Sequence, residues 1–136
     1  MPFMSWSDRL SVGVEALDND HKKLIGMINE LYDGIASGQN KEIIGAIIDR
    51  LVQYTRYHFA REEDLFASTG YANALEHKLE HDQLAEWAIQ VELEFHKGTL
   101  PAPSLQVINR MKDWLFDHIN GSDRQYTKHL NAHGIQ

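Results

Sequence analysis

The sequence predicts an all-α protein, an antiparallel up-down-up-down four-helix bundle with a short N-terminal arm. Apolar residues recur at three- and four-residue spacing in four long segments, which is the period of one helix face. The connections between these segments are short and contain glycine or proline, so successive helices are expected to run antiparallel. At 136 residues, the chain fits one domain with a single core, spanning residues 1–136.

The N-terminal arm is predicted over residues 1–16, with Trp6 as the side chain that packs it onto the bundle. The first helix is predicted over about 18–37. Asp18 is a suitable N-cap for this helix because its carboxylate can accept a hydrogen bond from the first turn. Gly38 is a suitable end, since glycine adopts the left-handed conformation that closes many helices.

The other three helices are predicted over about 41–69, 72–97 and 104–132. Each carries apolar residues at helical spacing, and the segment 98–103 contains two prolines that break the pattern. Ser104 is the expected N-cap of the fourth helix.

Composition excludes several classes of protein. There is no cysteine, which removes disulfides, thiolate metal sites and cysteine nucleophiles, and which fits a cytoplasmic location. The net charge is −7 without a basic cluster, so neither nucleic acid nor an anionic membrane is an expected partner. No apolar run approaches the roughly 18 residues that a membrane span needs, so no membrane insertion is expected. The unusual feature is histidine, with eight residues.

Two pairs of potential metal ligands have helical spacing. His58 and Glu62 are four residues apart on the second helix, and His77 and His81 are four apart on the third. Residues four apart project from one helix face, so each pair can approach a common metal ion. Either pair alone is a weak signal, because this spacing also occurs by chance in helices.

The position of the histidines along the bundle strengthens the signal. His21 lies at the start of the first helix and His118 lies late in the fourth. In an up-down-up-down bundle, these two positions share one end with the two pairs on the middle helices. Their helical neighbours are apolar, so the imidazoles are expected to be buried and to need hydrogen-bonding or metal partners. A metal-free, histidine-rich core is the alternative.

Asp123 is the candidate carboxylate of the fourth helix. It follows His118 by five residues, which in a regular helix would direct it about 140° away from that histidine. Asn120, Gly121 and Ser122 lie between the two. This segment is a suitable place for a π-bulge or a brief unwinding that restores a common direction.

Together these residues resemble the seven-ligand signature of the hemerythrin family, in the single-domain form found in bacteria. The resemblance covers almost the whole chain and departs from the family pattern at no ligand position. The matching residues are His21, His58, Glu62, His77, His81, His118 and Asp123.

The resemblance implies a centre of two iron ions, bridged by Glu62, Asp123 and an oxo or hydroxo group. One iron would be held by three histidines, and the other by two. These sets are His77, His81 and His118 for the first iron, and His21 and His58 for the second. Glu63 would be the outward-facing neighbour of Glu62. Three histidines outside the signature are expected at the surface, namely His96, His129 and His133.

The ligand set favours reversible dioxygen binding over catalysis. On two six-coordinate irons, the seven side chains and one bridging hydroxide leave a single position open, on the iron with two histidines. Di-iron oxygenases use carboxylate-rich sites with paired Glu-x-x-His motifs. This sequence has no Glu-x-x-His, so we expect oxygen storage, delivery or scavenging with no catalytic residue. The family precedent is likewise dioxygen binding.

An apolar pocket beside the open position should exclude water and anions from the bound dioxygen. Leu115, three residues before His118, is the first candidate for its wall. Ile25, Leu51, Phe59 and Phe66 are further candidates, and for all of them ordinary core packing explains their apolar character equally well.

Three alternatives to an oxygen carrier stay open at this point. The chain can serve as an oxygen or redox sensor, which would require a separate protein partner to receive the signal, as oxygen delivery would require an acceptor. It can act as a di-iron oxidase or peroxidase. It can also bind zinc or another divalent ion, because imidazole and carboxylate do not by themselves select iron.

Overall fold

The computed structural model describes residues 3–98 and 105–136, and these residues form helices and turns without a β-strand. The helices are α1 (Glu15–Ala36), α2 (Lys41–Thr69), α3 (Ala74–Lys97), α4 (Leu105–Asp117) and the short α5 (Thr127–Ala132). Helix α2 packs against α1 and α3, and α1 also packs against α4. The predicted all-α four-helix bundle is confirmed. None of the described helices has the length and hydrophobicity that crossing a membrane would require.

Helix α1 begins at Glu15, three residues before the predicted start. Asp18 is therefore inside the helix and is not its N-cap. Its carboxylate instead accepts hydrogen bonds from the Ser11 hydroxyl, at 2.6 Å, and from the Val12 backbone N–H, at 2.8 Å. The side chain thus fastens the arm to the first turn of α1.

Helix α2 has the predicted bounds, and helix α3 begins two residues later than predicted and ends at the predicted residue. The Asn40 side chain caps α2 by accepting a hydrogen bond from the backbone N–H of Ile43 at 3.0 Å. Gly70 and Gly98 end α2 and α3 with φ angles of 68° and 81°, which are strained for other residues. The predicted break spans 98–103, of which residues 99–103 lie outside the described residues, as does the Ser104 N-cap.

The fourth predicted helix, 104–132, is interrupted in the structure. After α4, a π-helical turn runs over His118–Ser122 and a 3-10 turn over Asp123–Tyr126, before α5 begins. The interruption confirms the predicted irregularity between His118 and Asp123, and it extends further towards the C-terminus than expected.

The N-terminal arm packs on the bundle, as predicted. Met4 is 2% exposed, and its backbone N–H and carbonyl both bond to the Asn29 side chain, at 2.7 and 2.8 Å. Trp6 is half-buried against the core, with the Lys22 ammonium 5.0 Å from its ring centre. The arm therefore covers apolar surface of α1 that would otherwise face water.

We predict that Asp18→Ala lowers the free energy of unfolding by about 1–2 kcal/mol, because the buried Val12 N–H loses its acceptor. Urea denaturation followed by circular dichroism measures the change. Asp8→Ala is the control, since Asp8 is exposed and in the same arm. Equal stability of the Asp18 variant and the wild type would show that this hydrogen bond does not hold the arm.

Candidate metal centre

The seven residues of the sequence signature lie together at one end of the bundle and are all buried. Their exposed fractions range from 0% to 5%. Each position along its helix brings the side chain to this end: early in α1, late in α2, early in α3 and directly after α4. Helical spacing and antiparallel packing produce this convergence for six of the seven side chains, and Asp123 additionally needs the π-helical turn before it.

The seven side chains form two groups that share both carboxylates. The first group contains Glu62, His77, His81, His118 and Asp123. The second contains His21, His58, Glu62 and Asp123. Within each group, one nitrogen or oxygen atom per residue lies within 4.8 Å of all the others. The arrangement therefore has two adjacent positions for metal ions, with five and four available ligand atoms.

Asp123 faces both positions, one with each carboxylate oxygen. Its Oδ1 is 2.9 Å from Nε2 of both His77 and His118, whereas its Oδ2 is 3.0 Å from Nε2 of His21. This is the orientation that a bridging carboxylate needs. The π-helical turn before Asp123 makes it possible, because a wider turn rotates the aspartate back to the side of His118.

Glu62, on α2, lies between the same two groups of ligands. Its Oε1 is 3.0 Å from Nε2 of His81, and 3.5 Å from Nε2 of both His77 and His58. Glu63, one residue later, is directed outwards and is 28% exposed. The four-residue spacing from His58 therefore places Glu62, and not Glu63, inside the bundle.

These contacts leave the inward-facing atoms without hydrogen bonds. The Nε2 atoms of all five histidines and both oxygens of both carboxylates are buried and have no hydrogen-bond partner. Such atoms are costly to bury unless a further group satisfies them. Their N···O separations also suit a metal, since adjacent ligands of an octahedron with bonds of about 2.1 Å lie about 3.0 Å apart. The residues present therefore fit a pair of metal ions.

The number of ligand atoms also bears on the kind of metal. Structural zinc sites use four ligands in a closed tetrahedron. The larger group here offers five ligand atoms from the protein alone. A metal that accepts six ligands, nitrogen and oxygen together, fits this group better than a tetrahedral one.

The outer nitrogens of three histidines donate to carboxylates on other helices. His58 Nδ1 donates to Asp20 at 2.9 Å, and His118 Nδ1 donates to Glu80 at 2.9 Å. His81 Nδ1 donates to Glu63 at 3.1 Å. A proton fixed on Nδ1 leaves the Nε2 lone pair directed at the metal position, and the carboxylate increases its basicity.

Asp20 is the centre of the most extensive of these outer networks. It is 3% exposed, and in addition to His58 it accepts a hydrogen bond from the Tyr54 hydroxyl at 2.8 Å. The Arg61 guanidinium lies 3.3 Å from the same carboxylate. Burial raises the pKa of Asp20, but His58 and Tyr54 outweigh this effect, and the pKa remains below its usual value.

The supporting carboxylates were not predicted from the sequence. A local signal exists, because Asp20 directly precedes His21 and Glu80 directly precedes His81. The signal is misleading, however, since each carboxylate serves a histidine of another helix. Only the packing of α1 on α2 and of α3 beside α4 determines these pairs.

Tyr126 is a further buried residue that the sequence did not indicate. It is 0% exposed, and its hydroxyl has no hydrogen-bond partner. Burial raises its pKa well above the usual value, and the nearby charges of Asp123 and Glu62 raise it further. The residue therefore stays neutral and presents a hydroxyl group beside the two shared carboxylates.

Aromatic rings also pack against three of the imidazoles. Phe59 stacks on His81 with ring centres 3.9 Å apart, and Trp114 stacks on His118 at 4.5 Å. Phe66 contacts His77 edge-on at 4.9 Å. These contacts restrict the rings to orientations that direct Nε2 inwards.

An apolar cavity of about 50 Å³ lies on the interior side of the centre. Of the five predicted pocket residues, Leu51, Phe59 and Leu115 line it. Ile25 and Phe66 are buried elsewhere in the core. On α1, the residues that line the cavity are Leu24 and Ile28, so Ile25 does not reach the cavity. Phe66 follows Glu62 on α2 and lies on the other side of the centre, so it does not reach the cavity either.

The three histidines outside the signature lie apart from the centre. His96 and His133 are exposed, as expected. His129 is half-buried, contrary to the expectation of a surface residue. Its Nε2 is 2.9 Å from the Thr69 hydroxyl, and its ring packs against Tyr71.

Without a bound metal, Asp123 and Glu62 hold positive charge on three of the imidazoles, those of His21, His77 and His118. Burial lowers the pKa of His77, but Asp123 and Glu62 outweigh it and raise the pKa to about 9. The pKa values of His21 and His118 are raised for the same reason. A metal ion must therefore displace protons from the Nε2 atoms.

We predict that the metal-free protein loses stability with rising pH. The pKa of His77 is about 9 in the folded chain and 6.5 in the unfolded chain. Its protonated form therefore stabilises the fold fully below pH 6.5, and this stabilisation is lost as the pH rises through 9. The free energy of unfolding should fall by about 1–3 kcal/mol across this interval. Urea denaturation of chelator-treated protein at pH 6 and pH 9.5 measures the change, with metal-loaded protein as the control. A metal-free protein that is more stable at pH 9.5 would contradict the assignment.

Comparison with known proteins gives a consistent result. Residues 12–130 match the family model described as the hemerythrin HHE cation binding domain. A bacteriohemerythrin of Stenotrophomonas maltophilia is 33% identical over 98% of this chain and 85% of its own length. One from Methylococcus capsulatus is 33% identical over 97% of this chain and all of its own length. The crystal structure of a wild-type hemerythrin superimposes with a TM-score of 0.90 at 32% identity, covering 94% of this chain and 98% of that one.

Proposed function

Because the chain belongs to the hemerythrin family, we propose that it binds dioxygen reversibly at a non-haem di-iron centre. The observation that carries this proposal is the inequality of the two metal positions. Both share Glu62 and Asp123, but one has three histidines and the other has two. With one further bridging oxygen from solvent, the first position would be complete at six ligands and the second would retain one open position.

The proposed ligands are the seven buried residues of the signature. His77, His81 and His118 would hold one iron, and His21 and His58 the other, with Glu62 and Asp123 as bridges. When bound, the ferrous pair supplies the electrons and the open coordination position that dioxygen requires. Carboxylates at Nδ1 orient the imidazoles of His58, His81 and His118, so that each of these three Nε2 lone pairs is directed at the proposed metal position.

The apolar cavity supports binding rather than turnover. Among the described residues that line it, none is titratable, and Thr55 has its hydroxyl bonded to the Leu51 carbonyl at 2.8 Å. Such a cavity offers neither a proton donor nor a stable position for water. A small apolar molecule such as dioxygen can enter it, whereas water and anions are disfavoured. We propose that Leu115, Leu51 and Phe59 form this barrier.

A role in storage, delivery or scavenging of oxygen follows from this proposal. The cytoplasmic location stays a prediction from the sequence. Sensing would use the same centre with a separate protein partner. Oxidase or peroxidase activity would require proton delivery that the lining residues do not provide.

The visible spectrum tests reversibility. The metal-free protein is loaded with ferrous iron without oxygen, exposed to oxygen, and then returned to vacuum. We expect charge-transfer bands that rise with oxygen and vanish when it is removed. Irreversible conversion to a ferric form, or steady oxygen consumption with an added reductant, would favour the oxidase alternative. Zinc in place of iron as the stably retained metal would favour a different function.

Iron content tests the ligand assignment. We predict that His118→Ala and Glu62→Ala each lower the iron content well below two per chain, because each removes a ligand from the buried centre. His129→Ala is the matched control and should retain the wild-type iron content, since this histidine is half-buried but outside the cluster. Elemental analysis after gel filtration gives the numbers. If Glu62→Ala retained both irons, the bridging role would be wrong.

A further inference from the structure

A second cluster of metal-ligating side chains lies away from the di-iron centre. It contains Asp49 on α2 together with Glu92 and His96 on α3, and one ligand atom from each lies within 4.8 Å of the others. Asp49 precedes His58 by nine residues, which is about 14 Å along a helix. The cluster therefore belongs to the opposite half of the bundle and shares no residue with the centre described above.

The three side chains converge from two helices. Glu92 and His96 are four residues apart and project from one face of α3. Asp49 meets them from α2, with its Oδ1 2.7 Å from His96 Nε2. The Asp49 and His96 side chains are 42% and 49% exposed, so water has access to the cluster. The arrangement offers one imidazole and two carboxylates around a common point.

The two carboxylates of the cluster are close enough to affect each other. Burial raises the pKa of Glu92, and contact with Asp49 raises it further. Burial also raises the pKa of Asp49, but His96 outweighs it and lowers the value. The charges of His96 and Arg56 act in the opposite direction and lower the pKa of Glu92. A cation between the carboxylates would remove their mutual repulsion.

One side of the His96 imidazole packs against α2. Gly45 of α2 faces His96, and a methyl group at this glycine would lie 3.3 Å from Cε1 of His96 and 3.3 Å from Cε1 of Phe95. The absence of a side chain at position 45 lets the His96 ring lie against the α2 backbone. In this position the ring directs Nε2 at Asp49.

We propose that Asp49, Glu92 and His96 form a separate surface site that binds one divalent transition-metal ion of the zinc class. Imidazole and carboxylate are ligands that zinc accepts, at bond lengths of about 2.0–2.2 Å. Three protein ligands leave a position for water, which the exposed side of the site can supply. Because the ligands come from two helices, the bound ion connects α2 to α3 and stabilises the folded chain.

Zinc binding to the iron-loaded protein tests the proposal. Wild-type protein and two variants, His96→Ala and Asp49→Asn, are dialysed against the same low concentration of Zn²⁺, and zinc and iron are both counted by elemental analysis. We expect wild type to hold one more zinc per chain than either variant, with equal iron in all three. Zinc should also raise the melting temperature of wild type by a few degrees and that of the variants by less.

The control is His133→Ala, which removes another exposed histidine and should bind zinc as wild type does. Asp49→Asn keeps the size of the side chain, and circular dichroism verifies that every variant is folded. Equal zinc in wild type and His96→Ala would overturn the proposal. A gain of zinc matched by an equal loss of iron would also overturn it, since the zinc would then have entered the buried centre.

Discussion

The structure depends on one constraint: two carboxylates and five imidazoles are buried at one end of a small helical bundle. Unsatisfied polar atoms in an apolar interior cost free energy, and all five inward-facing Nε2 atoms lack a hydrogen bond. The carboxylates reduce this cost in the metal-free chain by holding protons on the histidines. Metal ions at the proposed centre would remove it, because each unpaired atom would gain a ligand bond. Folding and metal binding are therefore linked at this end of the molecule.

The backbone is irregular where this constraint is strongest. Asp123 can face both metal positions only if the chain after α4 departs from the regular helix, and the π-helical turn provides that departure. The 3-10 turn that follows then places Tyr126 beside the shared carboxylates. One local irregularity of the helix thus positions both Asp123 and Tyr126. The remainder of the bundle stays regular, which keeps the other ligands at fixed heights.

The bundle has a polar end, which contains the proposed metal ligands, and an apolar interior, which would exclude water and anions. Carboxylates at the periphery of the centre, such as Asp20 and Glu80, orient the imidazoles from outside. Apart from Thr55 and Met111, the described residues that line the cavity on the interior side are aliphatic or aromatic. Dioxygen has no charge and can enter such a space, whereas hydrated anions would lose solvation there. In the proposed function, the same helices would supply the ligands at one height and the apolar barrier at the next.

The sequence by itself determined the all-α class, the four helical segments and the common height of the histidines, because helical period and short connections are local properties. It also indicated the irregularity before Asp123, since five residues do not return to the same helix face. It did not determine the start of α1, where Asp18 binds the arm instead of capping the helix. Nor did it identify Asp20, Glu80 and Tyr126, or exclude Ile25 and Phe66 from the cavity. These depend on which faces of different helices meet, and only tertiary packing decides that.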